Sequence, residues 1–398
     1  KLISIPTSCV DAHCSYSITG LEKGTPYFVR VFAHNSKGYS DEIGLPENLS
    51  ETPKTQPTRP ASVLVSPLEN NDLEVTIAPP SDNGGAEITH YKVEWNVLGA
   101  EASSPIFLCP VGSHGAYHAD AELGTARAAA AKDHHMALST QSSTPIEAVI
   151  EQRDGPIWFQ LYPTTRWEYT VAMVQRAERA GATAVCLTID LPGGRNVETQ
   201  MKLAREDTRT CSNCHQGQAK PIFDGLDMSG VGLNDPSLTW SVIGRLKEVT
   251  NMKVIIKGIE VGIDASLAVE NGADGIWVSN HGGRAIESDR GAIECLPEIV
   301  DAVNGRAPII IDSGFRRGTD VYKALALGAS AVGIGRPYCW GLGAFGQAGV
   351  ERVLTLLNRE LRIAMMGSGT PTIASIGPDY VLDAGHRVPR GKLGRELL

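Results

Sequence analysis

One phrase recurs three times in this chain and restricts its architecture more than any other feature. It is an alanine-rich helical stretch, then Gly-Ala, then an apolar strand. The three copies are Ala177-Glu178-Arg179-Ala180-Gly181-Ala182 into residues 184–189, Leu267-Ala268-Val269-Glu270-Asn271-Gly272-Ala273 into residues 275–279, and Ala324-Leu325-Ala326-Leu327-Gly328-Ala329 into residues 331–334. The glycine ends each helix, because only glycine enters the left-handed region without a Cβ clash, and the small alanine lets the next strand start close by. Strands that are apolar on both faces and alternate with helices imply a parallel sheet covered on both sides. Eight segments fit: 106–109, 135–139, 157–160, 184–188, 253–257, 275–279, 308–311 and 331–334. Eight strands in about 270 residues match an α/β (β/α)8 TIM barrel. A doubly wound open sheet would carry a nucleotide-binding glycine fingerprint after its first strand, and Pro110-Val111-Gly112-Ser113-His114-Gly115 does not fit one.

Polar residues gather where these strands end. Ser139 and Thr140 end the second, Gln160 and Tyr162 the third, Thr188 and Asp190 the fourth, and Lys257 the fifth. Ser279, His281 and Arg284 follow the sixth, Asp312, Gly314 and Arg316 the seventh, and Gly335 and Arg336 the eighth. Any one of these alone reads as a cap or a surface group. Seven ends in a row, converging on the carboxyl mouth where barrels place their active sites, do not. The sixth end is the richest, since Ser279-Asn280-His281-Gly282-Gly283-Arg284 sets a base and a cation three positions apart in a glycine-rich loop. Glycine beside arginine after strands seven and eight supplies the backbone N–H groups and cations that a phosphate needs.

The first hundred residues read differently, as strands without helices. Residues 16–18 and 27–33 alternate with period two, and 62–66, 73–77 and 88–95 are further strand candidates. Residues 21–26 and Asn35-Ser36-Lys37-Gly38 read as turns, and a Pro/Thr-rich link spans 51–60. Leu21-Glu22-Lys23-Gly24-Thr25-Pro26-Tyr27-Phe28-Val29-Arg30-Val31, with Ala33, Asn35 and Gly38, resembles the late strands of the fibronectin type III family, Tyr27 taking the tyrosine-corner role. Residues 60–95 resemble its early strands. Late strands thus precede early ones. The readings are two incomplete tandem modules (1–53 and 54–100), one permuted β-sandwich, or a fused gene. Adhesion or spacing is the functional reading of such a module and an inert appendage the plainer one.

The barrel motifs resemble the FMN-dependent 2-hydroxy-acid oxidase and dehydrogenase family, which includes glycolate and lactate oxidases. The resemblance covers residues 105–371, leaving 372–398 as a tail, and rests on Ser279 to Arg284, Asp312-Ser313-Gly314-Phe315-Arg316-Arg317-Gly318-Thr319-Asp320 and Ile334-Gly335-Arg336-Pro337 taken together. It implies FMN as cofactor, oxidation of an L-2-hydroxy acid to a 2-oxo acid, and oxygen or another electron acceptor. Pro110, Val111 and Gly112 would pass beside the flavin ring, and Ser139, Gln160, Thr188 and Ser279 would contact it. Lys257 would stand where negative charge develops on it. Asp312 would bind the ribityl chain, and Gly314, Arg316, Gly335 and Arg336 the phosphate. His281 would be the base and Asp190 would raise its proton affinity. Tyr162 would hydrogen-bond the substrate and Arg284 would clamp its carboxylate by a bidentate pair. Homo-oligomers, often tetramers, and a cytoplasmic or organellar setting go with the family. Two rivals stand beside this reading: a non-catalytic fibronectin-type scaffold carrying a barrel, and a phosphate-binding isomerase that uses reduced flavin.

Three departures from the family pattern stand out. The strand-rich residues 1–100 replace an N-terminal helical segment that supplies a substrate-contacting tyrosine. The fourth loop, Asp190-Leu191-Pro192-Gly193-Gly194-Arg195-Asn196, holds one arginine where the family carries two adjacent ones, making Arg195 the candidate second clamp. Gln141 stands where an aromatic residue often follows the second strand, making the pocket more polar or roomier. In the same fourth loop, Cys211-Ser212-Asn213-Cys214-His215 has the spacing of a haem attachment or part of a zinc site. A disulfide or free thiols is the plainer reading, so no metal is expected. The net charge of −9 carries no basic run to suit nucleic acid, and no apolar run is long enough to span a bilayer. The chain begins at Lys1 rather than Met, as a processed or truncated product would.

Overall fold

The computed structural model describes residues 3–6, 14–18, 28–40, 57–67, 73–83, 88–96, 104–191, 198–206, 220–285 and 290–381. They fall into two compact units, Lys1–Glu101 and Ala102–Leu398. The first contains β1 (Ile3–Pro6), β2 (Cys14–Ile18), β3 (Phe28–Asn35), β4 (Gly38–Tyr39), β5 (Pro60–Pro67), β6 (Leu73–Pro80) and β7 (His90–Asn96). All pair antiparallel, in two sheets ordered β1-β7-β3-β4 and β2-β6-β5. β2 lies along β6 with Cys14 opposite Ile77 and Ile18 opposite Leu73, and β3 lies along β7 with Val29 opposite Trp95. Strands from before and after the Pro/Thr-rich link therefore share both sheets. The turn at Ser36 and Lys37 is present, closed by Lys37 N–H donating to Asn35 Oδ1 at 2.9 Å, as an Asx-turn does. Residues 21–27, Tyr27 among them, lie outside the described residues.

The second unit is the expected barrel. β8 (Ile106–Leu108), β9 (His135–Ser139), β10 (Trp158–Leu161), β11 (Ala184–Thr188), β12 (Lys253–Ile259), β13 (Gly275–Val278), β14 (Ile309–Ile311) and β15 (Ala331–Ile334) pair parallel in chain order. β15 closes on β8 with Gly333 opposite Phe107. Around them run α1 (Ala121–Ala131), α2 (Ile146–Arg153), α3 (Trp167–Ala180), α4 (Glu198–Glu206), α5 (Val242–Lys247), α6 (Gly262–Glu270), α7 (Ala292–Val303), α8 (Gly318–Ala326) and α9 (Arg336–Ser368), which is broken by a kink at Phe345 and Gly346. The repeated phrase behaves as its chemistry requires: Gly181, Gly272 and Gly328 take φ of 107°, 95° and 101° as the chain turns from helix to strand. β12 runs two residues beyond its expected end, and α4 is a helix that the fourth loop did not announce. The stretch expected as a tail begins with short 3-10 turns at Ile373–Ser375 and Pro378–Tyr380, and residues 382–398 lie outside the described residues.

Strand alternation divides the apolar side chains into two cores. One set, including Leu108, Leu138, Phe159, Leu187, Ile256, Val278, Ile311 and Ile334, joins the helices in a single buried layer. The other fills the barrel, where Phe107, Trp158 and Trp277 meet edge to face with centroids 5.0 to 6.2 Å apart. Each such ring is worth about 1.5–3 kcal/mol in burial alone. These rings pack together in the barrel interior beneath the carboxyl mouth.

Candidate active site

The mouth opens into a cavity of ≈260 Å³. Pro110, Val111, Gln160, Tyr162, Thr188, Lys257, His281, Arg284, Asp312, Gly314, Arg316, Gly335 and Arg336, all expected site residues, line it. They come from seven different strand ends, and the chain order of the barrel is what brings them together.

One step in from the mouth is a buried hydrogen-bonded layer. Gln160 Nε2 donates to Thr188 Oγ1 at 2.8 Å, and Gln160 Oε1 accepts from Ser139 Oγ at 3.1 Å. Lys257 Nζ donates to Ser279 Oγ at 2.8 Å and lies 3.6 Å from Asp312 Oδ2. Ser279 Oγ and Ser313 Oγ donate to Asp312 Oδ1 at 2.6 and 2.7 Å, and Trp277 Nε1 donates to Oδ2 at 3.1 Å. Burial alone would lower Lys257, but Asp312 and then Asp190 outweigh it and hold the ammonium above its ordinary value. Burial alone would raise Asp312, but Lys257 and the two serines outweigh it and hold the carboxyl below its ordinary value. The result is a fixed positive charge at the cavity wall with its counter-ion beside it.

Above this layer stands the sixth loop. His281 has φ of 57°, followed by Gly282 at 71° and Gly283 at 74°, a left-handed run that turns the imidazole back over the mouth. His281 Nδ1 faces both carboxylate oxygens of Asp190, at 3.0 and 3.1 Å, and Nε2 faces the Tyr162 hydroxyl at 3.2 Å. A carboxylate can only accept, so Nδ1 carries the proton and Nε2 is the free base, with the Tyr162 hydroxyl donating to it. Asp190 was expected to raise the proton affinity of His281. It does pull upward, but burial is the larger effect, with Lys257 and Arg284 acting in the same sense, and the imidazole sits below its ordinary value. His281 is therefore a neutral base at neutral pH. Arg284 Nε donates to the His281 carbonyl at 2.9 Å, and Arg336 Nη2 donates to that of Gly282.

Several expectations shift in detail. Ser139 and Ser279 stand one bond behind the cavity, orienting Gln160 and Lys257. Gly112 packs on the loop after β9, where a Cβ would fall 2.7 Å from that of Gln141. Asp312 lines the cavity while also accepting from Ser279, Ser313 and Trp277. Arg195, Cys211, Cys214 and His215 lie outside the described residues, and no metal-binding cluster occurs among the described residues. Cys109, Tyr117, Ser313, Phe315, Cys339 and Trp340 also line the cavity and were missed. Trp340 carried a usable signal: it lies one helical turn after Arg336, and its ring comes within 5.5 Å of the Arg316 guanidinium. Tyr117 carried none, since nothing in its surroundings marks it as facing the mouth.

The FMN-dependent dehydrogenase family model matches residues 85–383, wider at both ends than the barrel motifs suggested. A 2-hydroxyacid oxidase of Dictyostelium discoideum is 39% identical over 365 residues, covering 89% of this chain and 86% of that protein. Glycolate oxidase 2 of Oryza sativa subsp. indica is 40% identical over 318 residues, covering 76% and 84%. Among solved structures, a mandelate oxidase superposes with a TM-score of 0.63 at 35% identity, over 71% of this chain and 79% of that one. No described helix is long and apolar enough to cross a membrane.

Proposed function

The chain belongs to the FMN-dependent dehydrogenase family, and from that premise we propose that it oxidises an L-2-hydroxy acid to the 2-oxo acid with FMN as electron acceptor. The observation that carries the reading is the Asp190–His281–Tyr162 line, with an unprotonated Nε2 aimed over a cavity that also holds Lys257 and Arg284.

The donor set of the cavity fits FMN. Gly314 has φ of 90°, a Cβ there would meet nothing within 4 Å, and Arg316 and Arg336 line the same cavity, a combination of room and cations suited to a phosphate. Gln160, Thr188 and Lys257 offer amide, hydroxyl and ammonium groups for a flavin ring. When bound, FMN supplies the two-electron acceptor. The protein supplies the rest. Arg284 pairs with the substrate carboxylate and fixes its orientation. His281 Nε2 takes a proton from the substrate, and Asp190 stabilises the imidazolium that forms. Tyr162 hydrogen-bonds the substrate oxygen. Lys257 holds positive charge under the site, in a buried setting where a charge acts strongly.

The relatives are oxidases by name, which favours oxygen as the final electron acceptor. Assembly into a homo-oligomer belongs to the same reading, supported by the exposed Phe345 and Ile363 of α9. The first unit reads best as one permuted fibronectin type III-like sandwich. Support comes from the pairing of residues 14–18 with 73–77 and of β3 with β7, which joins late and early strands in the same sheets.

The test is product formation. FMN-loaded protein given L- and D-2-hydroxy acids in air should convert an L-acid to its 2-oxo acid, and His281→Gln should abolish the conversion. A loaded protein that makes no 2-oxo acid from any of them would favour the scaffold reading.

A further inference from the structure

Gly258 lies where a side chain would strike the His281–Asp190 pair. It is the extra residue of a bulge in β12: Lys257 stands opposite Trp277 and Ile259 opposite Val278, leaving Gly258 without a partner on β13. Its φ is 103°, in the left-handed half of conformational space. A Cβ built on it would fall 2.6 Å from Asp190 Cβ, 2.8 Å from Cγ and 3.0 Å from the Asp190 nitrogen. None of these is the far end of a flexible chain. The backbone just before is pinned by Ile189 N–H donating to the Lys257 carbonyl at 2.9 Å, so Asp190 cannot slide away as a rigid body. The Asp190 side chain is only 3% exposed and occupies the space a Gly258 side chain would need, with both oxygens on His281 Nδ1.

We propose that Gly258 is a positioning residue for the reaction: its missing side chain is what lets Asp190 reach His281, and so fixes which imidazole nitrogen is the base. The inference rests on the reading of His281 as the base. A methyl group at 258 would turn the Asp190 carboxylate away. The other titratable and charged groups around the ring, Lys257, Tyr162, Asp312 and Arg284, would stay in place, and those of them that are cations disfavour protonation of His281. Loss of Asp190 alone therefore leaves an imidazole that is less basic and no longer held in one tautomer.

Gly181 provides the control. Its φ of 107° imposes the same backbone strain on alanine, but an added Cβ would meet only Ile150 Cγ2, at 3.8 Å, far from the mouth. The experiment is a nitrogen NMR titration of the His281 imidazole in FMN-loaded protein, assigned with His281→Gln, for the parent, Gly258→Ala and Gly181→Ala. Steady-state rates are measured alongside. In Gly258→Ala the titration midpoint should fall by about one pH unit, the Nδ1–H tautomer should give way to a mixture, and kcat should drop roughly tenfold or more with KM little changed. Gly181→Ala should lose comparable thermal stability and move neither midpoint nor kcat. If Gly258→Ala does not accumulate as folded protein, adding Asp190→Gly, which removes the struck Cβ and Cγ, should restore folding to the level of Gly181→Ala. An unchanged His281 midpoint and tautomer in Gly258→Ala, or no rescue by Asp190→Gly, overturns the proposal. Failure of the functional reading looks different: the parent turns over no 2-hydroxy acid while the His281 titration still responds to Gly258→Ala, which leaves the placement of Asp190 by Gly258 standing.

Discussion

Lys257 Nζ stands 3.6 Å from Asp312 Oδ2, with both side chains less than a tenth exposed, and Ser279 bridges them by accepting from one and donating to the other. Removing one member leaves the other charged and buried. Lys257→Met should therefore destabilise the barrel by about 3–5 kcal/mol, read as a fall in urea midpoint. It should also slow turnover far more than it alters KM. Because the folded Asp312 carboxyl is held low and the folded Lys257 ammonium high, the contribution of the pair is present above the ordinary carboxylate range and below the ordinary lysine range. It is lost as pH falls through the folded value of Asp312 or rises through that of Lys257. The difference in stability between parent and variant should accordingly be flat across neutral pH.

Arg284 presents a planar fork at the cavity rim while its Nε stays tied to the His281 carbonyl at 2.9 Å. Lysine cannot make both contacts. Arg284→Lys should lower kcat/KM by about tenfold to a hundredfold, the range for losing a hydrogen bond to a charged group. Most of the loss should appear in KM, and steady-state kinetics on any accepted acid would show it.

Arg336 is the first residue of α9, directly after the N-cap Gly335, and reaches across to the Gly282 carbonyl. If it holds a phosphate, Arg336→Met should weaken FMN binding by about tenfold to a hundredfold and leave riboflavin binding unchanged, because riboflavin lacks the phosphate. Fluorescence titration with both flavins separates a phosphate contact from a general collapse of the mouth, which would weaken both equally.

His135 begins β9 inside the barrel, its ring centroid 4.2 Å from that of Trp158. It is buried, its Nε2 has no partner in the structure, and burial pushes its imidazole down to about 3. The unfolded chain therefore binds a proton here that the folded chain refuses, between the ordinary histidine value and about 3. Stability should fall as pH drops through that window, by on the order of 3 kcal/mol between neutral pH and pH ~4. His135→Phe should flatten the acid side of the curve of melting temperature against pH.

The barrel was legible because its signals are local. Gly181, Gly272 and Gly328 each mark a helix end by backbone chemistry that only glycine supplies, and the strands are mostly apolar with their polar residues gathered toward one end. The cavity residues were legible because chain order puts every strand end at one mouth, so a list of strand-end residues is already most of a site. What the sequence could not convey is which side chains face the ligand and which hold those that do. Ser139 and Ser279 differ from Thr188 only in depth, and depth depends on barrel stagger. At His281 the upward pull of Asp190 was legible and the net balance was not, for a related reason. The neighbouring carboxylate can be read from the strand ends, whereas the burial that outweighs it belongs to the folded molecule. In the first unit the strands could be read individually, but their sharing of two sheets is a long-range pairing that no local pattern specifies.

In the proposed reaction His281, Arg284 and a bound FMN act together on a 2-hydroxy acid. The most direct measurement is the visible flavin absorbance of FMN-loaded protein under anaerobic conditions, followed after addition of L-2-hydroxy acids one at a time. The expected result is that the flavin bands bleach with at least one L-acid, do not bleach with its D-enantiomer, and return when air is admitted. Flavin bands that persist unchanged with every acid, in protein shown to hold FMN, would rule this reaction out.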